Sequence, residues 1–203
     1  MIAALDGSRV DGPAYTDVVD LARHAPVWLD DAVSAWSTYG LALFAVLMAV
    51  GWWHARRADA AAAVTALAVP FAAVAAYGVD AALKLLVREE RPCQSLRVST
   101  LEACPAPGDW SFPSNHAAIA AAAAVALLFA SRRLGALAVV AACAMAFSRV
   151  WVGAHYPHDA VAGLVVGAVT ALLAMVPLRR GHAEALAGRL AATPLRPLLA
   201  VAP

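Results

Sequence analysis

Residues 60–87 read AAAAVTALAVPFAAVAAYGVDAALKLLV, an alanine- and valine-rich run interrupted by Pro70 and by two ionisable side chains, Asp80 and Lys84. About 20 predominantly apolar residues suffice for a helix to cross a hydrocarbon core. The run is therefore long enough to span a bilayer, with Pro70 as a kink point. Charges inside such a segment are costly in lipid and call for a partner or a function. The composition agrees: 63% of the 203 residues are hydrophobic, 14% are charged, and mean hydropathy is +0.70. That is too apolar for an ordinary soluble domain. The formal net charge of +1 gives no support to a nucleic-acid partner and hides a segregation of sign along the chain.

Upstream, about Ala32 to Trp53 forms another apolar segment, ending in the interface-favouring Trp52 and Trp53. Before it, from about Tyr15 to Asp31, apolar Val18, Val19, Leu21, Val27, Trp28 and Leu29 alternate with Asp17, Asp20, Arg23, Asp30 and Asp31. That pattern suits an interfacial amphipathic helix and not a span. The first residues are acidic and polar, so insertion is expected to rely on internal segments. Downstream, Pro92, Pro105, Pro107, Gly108 and Pro113 make about Arg88 to Phe112 an irregular surface loop. Three further spans follow, from about Ser114 to Ala130, Leu134 to Val150 and His158 to Val176, before a basic, loosely helical tail. The expected fold is an all-α polytopic membrane helix bundle, a single domain over residues 1–203. It has about five transmembrane helices, an N-terminal interfacial segment (1–31) and a tail (179–203).

Arg56 and Arg57, Arg132 and Arg133, and Arg179 and Arg180 all fall on one side of this topology. By the positive-inside rule that side is cytoplasmic. The C-terminus is then cytoplasmic, and the loops from 88 to 112 and from 151 to 157 are extracytoplasmic. Cys93 and Cys104 share the first of these loops, in a compartment that permits a disulfide. Two free thiols are the alternative. Cys143, in mid-span, reads as a small buried apolar residue.

Three polar pieces sit at the ends of the spans. Lys84 through Arg91-Pro92 has the form K-x-x-x-x-x-x-R-P; Pro113-Ser114-Asn115-His116 precedes a span; Ser148-Arg149 through His155 to Asp159 has the form S-R-x-x-x-x-x-H-x-x-x-D. A lysine near a span end can simply snorkel to the interface. If the helix continued, however, positions 84, 88 and 91 would share a face and aim Lys84 and Arg91 into one pocket. Arg88 itself reads as an interface anchor. Ser114 stands where a helix N-cap belongs, and the same helix start can hold an anion on its free N–H groups. His116, one turn in, would face that anion and exchange a proton with it. Asp159, four residues after His155, can hold one imidazole nitrogen and leave the other as nucleophile. Arg149 offers a fork of donors for phosphate oxygens. His158 reads as a surface histidine. The inventory fits phosphoryl transfer without a metal or other cofactor.

Together the three pieces resemble the signature motifs of the type 2 phosphatidic acid phosphatase superfamily, which also includes the vanadium haloperoxidases. The resemblance implies that His155 attacks phosphorus to form a phosphohistidine, that Asp159 orients it, and that His116 protonates the leaving oxygen and then activates water. It implies phosphoryl binding by Lys84, Arg91, Ser114, Asn115 and Arg149, with no metal. The family most often has glycine at the position of Asn115; the backbone donor is retained. The five spans, the acidic amphipathic helix and the Ser111-Phe112-Pro113-Ser114 lead resemble the small bacterial undecaprenyl-diphosphatases, which recycle the carrier lipid of cell-wall synthesis. Phosphatidic acid, phosphatidylglycerol phosphate and other polyprenyl phosphates remain open as substrates, because the motifs read only the phosphoryl group. A transporter is disfavoured because the ionisable residues gather at one face and not along a midplane path. Haloperoxidases are soluble, so vanadate is expected here as an inhibitor that mimics the phosphoryl group.

Overall fold

The computed structural model describes residues 5–178 and 180–199. Arg179, counted above in the third basic cluster, and residues 200–203 of the tail lie outside the described residues. Among the described residues nine α-helices follow in order: α1 (Ser8–Arg23), α2 (Val27–Tyr39), α3 (Leu41–Ala55), α4 (Ala60–Val87), α5 (Pro92–Ser95), α6 (Asn115–Ala130), α7 (Arg132–Trp151), α8 (Pro157–Met175) and α9 (Arg180–Ala191). Helix α4 is the 28-residue run quoted first, about 42 Å long at 1.5 Å per residue. The Asp59 carboxylate caps it by accepting from the Ala62 amide at 2.7 Å. It continues through Pro70 and stops at Arg88, whose φ of 51° leaves the helical region.

Helix α6 is the axis of the bundle. Ala117, Ala118, Ala120 to Ala124, Ala126 and Leu127 are buried on it, against α4, α7 and α8. Alanine makes this possible, because small side chains let helix backbones approach closely where the hydrophobic effect offers no drive between helices. Glycines on α8 complete the fit: a methyl group at Gly163 or Gly167 would overlap the main-chain carbonyl of Ser114 or Ala118. Gly167→Ala is therefore expected to destabilise the protein by about 1–3 kcal/mol, the usual cost of overpacking. The readout is the apparent melting temperature in detergent, and an unchanged value would refute the close approach.

Among the described residues three helical segments are long and apolar enough to cross a membrane: α4, α7, and α8 with its following 3₁₀ turn. The α2–α3 pair makes a fourth if taken as one bent span. Phe71, Val74, Val140 and Leu173 point outward from α4, α7 and α8, an apolar belt that suits lipid and not water. The protein is a polytopic, multi-pass membrane helix bundle.

Four expectations need correction. The segment from Ala32 to Trp53 is not one straight span: α2 and α3 meet at Gly40 with a 53° bend. A side chain at Gly40 would collide with the Trp36 carbonyl and the Met145 side chain, so only glycine lets the chain turn there against α7. The N-terminal amphipathic stretch divides, with α1 ending at Arg23 and Val27 to Asp31 belonging to α2. Helix α6, expected as a span, has 16 residues, about 24 Å, and is enclosed by its neighbours. Cys143 is exposed, on the outward stripe of α7 that also carries Val140 and Phe147. In a lipid-facing helix, an apolar residue can leave the protein core without meeting water.

Candidate active site

The C-terminal ends of α4 and α7 and the N-terminal ends of α6 and α8 carry the three motifs; side-chain contacts join the first and third, and a main-chain hydrogen bond ties the second to the third. Arg91 does not arrive by helix phase, contrary to expectation. After the left-handed turn at Arg88, the chain runs extended through Glu89, which pairs with Leu5, and Arg91 precedes the short α5. From there the Arg91 guanidinium donates to Ala154 O at 2.9 Å and lies 3.4 Å from Nε2 of His155. Lys84 does not snorkel: it is buried and donates to the main-chain oxygens of Trp110 and Ser111, both at 2.8 Å.

Gly153, at φ 82°, turns the chain from α7 towards α8; a side chain there would also strike Thr100. The turn is held by the amides of Ala154 and His155 donating to Arg149 O at 3.0 and 3.2 Å. His155 emerges buried, with Nδ1 3.4 Å from both Asp159 Oδ2 and Ser111 Oγ. That carboxylate oxygen makes shorter bonds elsewhere, accepting from Ser111 Oγ at 2.5 Å and from the Tyr156 amide at 2.9 Å. Asp159 thus serves as a helix-start cap as well as the neighbour of His155. Because Arg91 only donates and faces Nε2, the imidazole lone pair belongs on Nε2 and the hydrogen on Nδ1.

Ser114 does not act as the expected cap. Its side chain bonds no helix amide, and Ser114 Oγ and Asn115 Oδ1 are buried with no partner among the described residues. The Ser114 amide donates to Asp159 O at 3.1 Å, which sets the start of α6 beside the start of α8. His116, in the first turn of α6, lies within electrostatic reach of Arg149, Glu102, Arg91 and Lys84. The buried guanidinium of Arg149 pairs with Glu102 (Nη1–Oε2 2.7 Å, Nη2–Oε1 3.0 Å) and donates to Ser37 at 2.6 Å; its Nε has no partner among the described residues.

In this arrangement both arginines hold a carboxylate from the loop between α4 and α6. Arg91 meets Asp109 at 2.9 Å, with the arginine 9% and the aspartate 53% exposed; for Arg149 and Glu102 the figures are 5% and 41%. The cations are fixed and buried while their partners lie towards solvent. An incoming oxyanion can therefore take the carboxylates' places without rebuilding the cationic floor. Cys93 and Cys104 are joined as a disulfide, S–S 2.03 Å, closing the part of the loop that carries Glu102.

Burial pushes the His155 imidazole down to about 3, and the charges of Arg91 and Lys84 add to this against the opposing pull of Asp159. The ring is therefore neutral at physiological pH. Burial also raises Glu89, opposed by its hydrogen bond to His158.

Several contributors escaped sequence reading. Ser111, Asp109 and Glu102 are ordinary polar loop residues and Ser37 is a serine inside α2, and only the Ser-Phe-Pro-Ser lead hinted at Ser111. His158, expected on the surface, is half-buried between Asp11 and Glu89 because α1 packs over it. Glu89, His158 and Asp159 have ligand atoms close enough to surround a metal ion. Both His158 nitrogens already face carboxylates, at 2.7 Å (Asp11) and 3.1 Å (Glu89), so neither offers a free lone pair to a metal.

Comparison with known proteins follows the same outline. Undecaprenyl-diphosphatase BcrC of Bacillus subtilis (strain 168) is 37% identical over 100 residues, covering 49% of this chain and 51% of its own. Decaprenylphosphoryl-5-phosphoribose phosphatase of Mycobacterium tuberculosis (strain H37Rv) is 37% identical over 97 residues, 47% and 51% of the two chains. Lipid A 1-phosphatase of Rhizobium johnstonii is 45% identical over 74 residues, 34% and 29%. The chain spans about half the length, or less, of these curated relatives. No solved structure matches it. The profile of the PAP2 superfamily matches residues 62–180, a stretch that holds more than half of the chain and all three motifs. By that match the chain belongs to the PAP2 superfamily.

Proposed function

We propose that this protein is a metal-independent membrane lipid phosphatase that hydrolyses a polyprenyl diphosphate, undecaprenyl diphosphate or a close relative, to the monophosphate and inorganic phosphate. The observation that carries the reading is a set of buried polar atoms with no partner among the described residues, Ser114 Oγ, Asn115 Oδ1 and Arg149 Nε, in the same motifs that supply the buried cations Lys84 and Arg91 and the neutral His155 imidazole. Buried polar atoms are normally satisfied, so such a group marks a place for a polar ligand.

In the proposed reaction the terminal phosphoryl group displaces Glu102 and Asp109 from the arginines. His155 Nε2 forms a bond to phosphorus as the bridging P–O bond breaks, and His116 gives its proton to the departing polyprenyl phosphate. His116 then takes a proton from water, whose oxygen attacks the phosphohistidine; inorganic phosphate leaves and His155 is regenerated. Arg91, Arg149, Lys84, Ser114 and the α6 amides hold the equatorial oxygens, the electrostatic work that metals do in many phosphoryl-transfer enzymes. Asp159 steadies the imidazolium side of the adduct.

We place the site on the extracytoplasmic side of the cytoplasmic membrane. Support comes from Arg56, Arg57, Arg132 and Arg133 at the opposite end of the bundle and from a disulfide in the site loop. A polyprenyl diphosphate left by cell-wall polymerisation is exposed on that face. The proposed role is recycling of the peptidoglycan carrier lipid, the target of antibiotics that sequester it. The names of the relatives favour a polyprenyl substrate, and lipid A phosphatase among them keeps other lipid phosphates in the comparison.

The test is phosphate release by the purified protein in one detergent from polyprenyl diphosphate, polyprenyl monophosphate, phosphatidic acid and phosphatidylglycerol phosphate. The diphosphate is expected to lead by about tenfold or more in kcat/KM, about 1.4 kcal/mol of transition-state preference. Equal rates, or a lead for another lipid, would refute the substrate assignment. EDTA should leave turnover unchanged; a strict requirement for added metal would refute the cation roles.

A further inference from the structure

His158 is engaged on every side. Its Nδ1 lies 2.7 Å from Asp11 Oδ1, and its amide donates to Asp11 Oδ2 at 2.7 Å, so helix α1 is clamped to the start of α8. Its Nε2 lies 3.1 and 3.2 Å from the two oxygens of Glu89, in the segment after α4, and 3.5 Å from Asp159 Oδ1. The ring stacks on Tyr156 (centroids 5.4 Å apart, planes 15°) and on Phe112 (6.0 Å, 28°). Phe112 leads into the second motif, Tyr156 follows His155 in the third, and Glu89 belongs to the first. One side chain therefore touches the first and third motifs, the residue that leads into the second, and the N-terminal helix.

Two features give these contacts a chemical meaning. Both ring nitrogens face carboxylate oxygens, which accept, so the arrangement calls for hydrogen on both nitrogens and a positive ring. Asp159 Oδ1, on a fully buried side chain, has no hydrogen-bond partner among the described residues, and the His158 ring is the cation beside it. The other oxygen, Oδ2, is the one that serves Ser111, Tyr156 and His155.

We propose that His158 is a positioning residue for the phosphatase reaction: its imidazolium, locked by Asp11 and Glu89, keeps Asp159 charged and aimed at His155, and makes that alignment depend on α1 being seated. The inference rests on the functional reading above and deepens it. The groups facing the ring are Asp11 from α1, Glu89 from the segment after α4, Asp159 from α8, and the rings of Phe112 and Tyr156. The carboxylates share one cation, and Asp159 is the one that His155 also needs. When His155 carries a phosphoryl group its ring becomes cationic, and a correctly oriented Asp159 is then most valuable. The effect of His158 should therefore fall on kcat.

The test is the pH profile of phosphate release by full-length wild type, His158→Gln and Asp11→Asn, with unfolding temperature measured alongside. For His158→Gln, kcat is expected to fall about tenfold, equivalent to about 1.4 kcal/mol, with KM little changed. The acid limb of its profile should move to higher pH, because a carboxylate deprived of a neighbouring cation takes up a proton more readily. Asp11→Asn keeps the ring but removes one carboxylate, so its basic limb should move to lower pH, since an imidazolium without its counter-charge loses its proton more readily. The Asp11 variant also covers the case in which His158→Gln does not fold. An active wild type whose variants have superimposable pH profiles, whatever their stability, overturns this proposal alone. A wild type inactive on every lipid phosphate overturns both this proposal and the functional reading.

Discussion

Replacing His155 with alanine is expected to lower phosphate release by about 10⁴- to 10⁶-fold, the scale on which loss of a nucleophile is felt in a preorganised site. The size follows from position: His155 is buried, neutral at physiological pH, and presents Nε2 beside Arg91. No other described imidazole has a carboxylate and Ser111 on one edge and Arg91 on the other. The protein should still fold, because Asp159 keeps its bonds from Ser111 and the Tyr156 amide. Retention of even a few per cent of the wild-type rate would remove His155 as nucleophile.

The same variant carries a pH signature in stability. The unfolded His155 binds a proton below its ordinary value of 6.5, whereas the folded one waits until about 3. Between these values the unfolded state holds more protons, so the contribution of this group to stability is present above 6.5 and is lost as pH falls. Glu89, raised by burial, acts in the opposite sense, its contribution being lost as pH rises. Wild type minus His155→Ala isolates the histidine: unfolding temperature should fall less steeply from pH 7 to pH 4 in the variant. Parallel curves would mean that the buried ring does not resist protonation.

The second large effect concerns Arg149 and its carboxylate. Arg149→Ala is expected to lower kcat/KM by about 10²- to 10³-fold, as for loss of one oxyanion donor, and Arg149→Lys should recover only part because the fork is lost. Glu102→Gln should move the other way. Glu102 occupies both terminal nitrogens of Arg149 while itself 41% exposed, so weakening that pair lets an anion compete more easily. Vanadate, as a mimic of the phosphoryl group, should inhibit the Glu102→Gln protein at concentrations several-fold below those needed for wild type. Weaker inhibition would show that Glu102 builds the site and does not stand in for the anion.

Much of this was legible before any coordinates. Hydropathy marked α4, α7 and α8 to within a few residues, because burying backbone in lipid leaves little choice but a helix. The motif residues announced themselves because lysine, arginine, histidine and aspartate at the ends of apolar runs have few structural excuses. The misses were of another kind. Arg91 reached the site by a left-handed turn at Arg88 and not by helix phase, and the bend at Gly40 reflects crowding by Trp36 and Met145.

By itself, then, the amino-acid order determined an all-helical membrane bundle and the residue types of the proposed phosphoryl-transfer site, since both depend on local chemistry and short spacing. Only the tertiary structure decided who holds whom. It paired Ser111 with Asp159, Glu102 with Arg149, and His158 with Asp11, partners separated by 48, 47 and 147 positions. Such bonds depend on distances through space, which are set when α1 and the loop between α4 and α6 pack onto the bundle, and no periodicity along the chain records them.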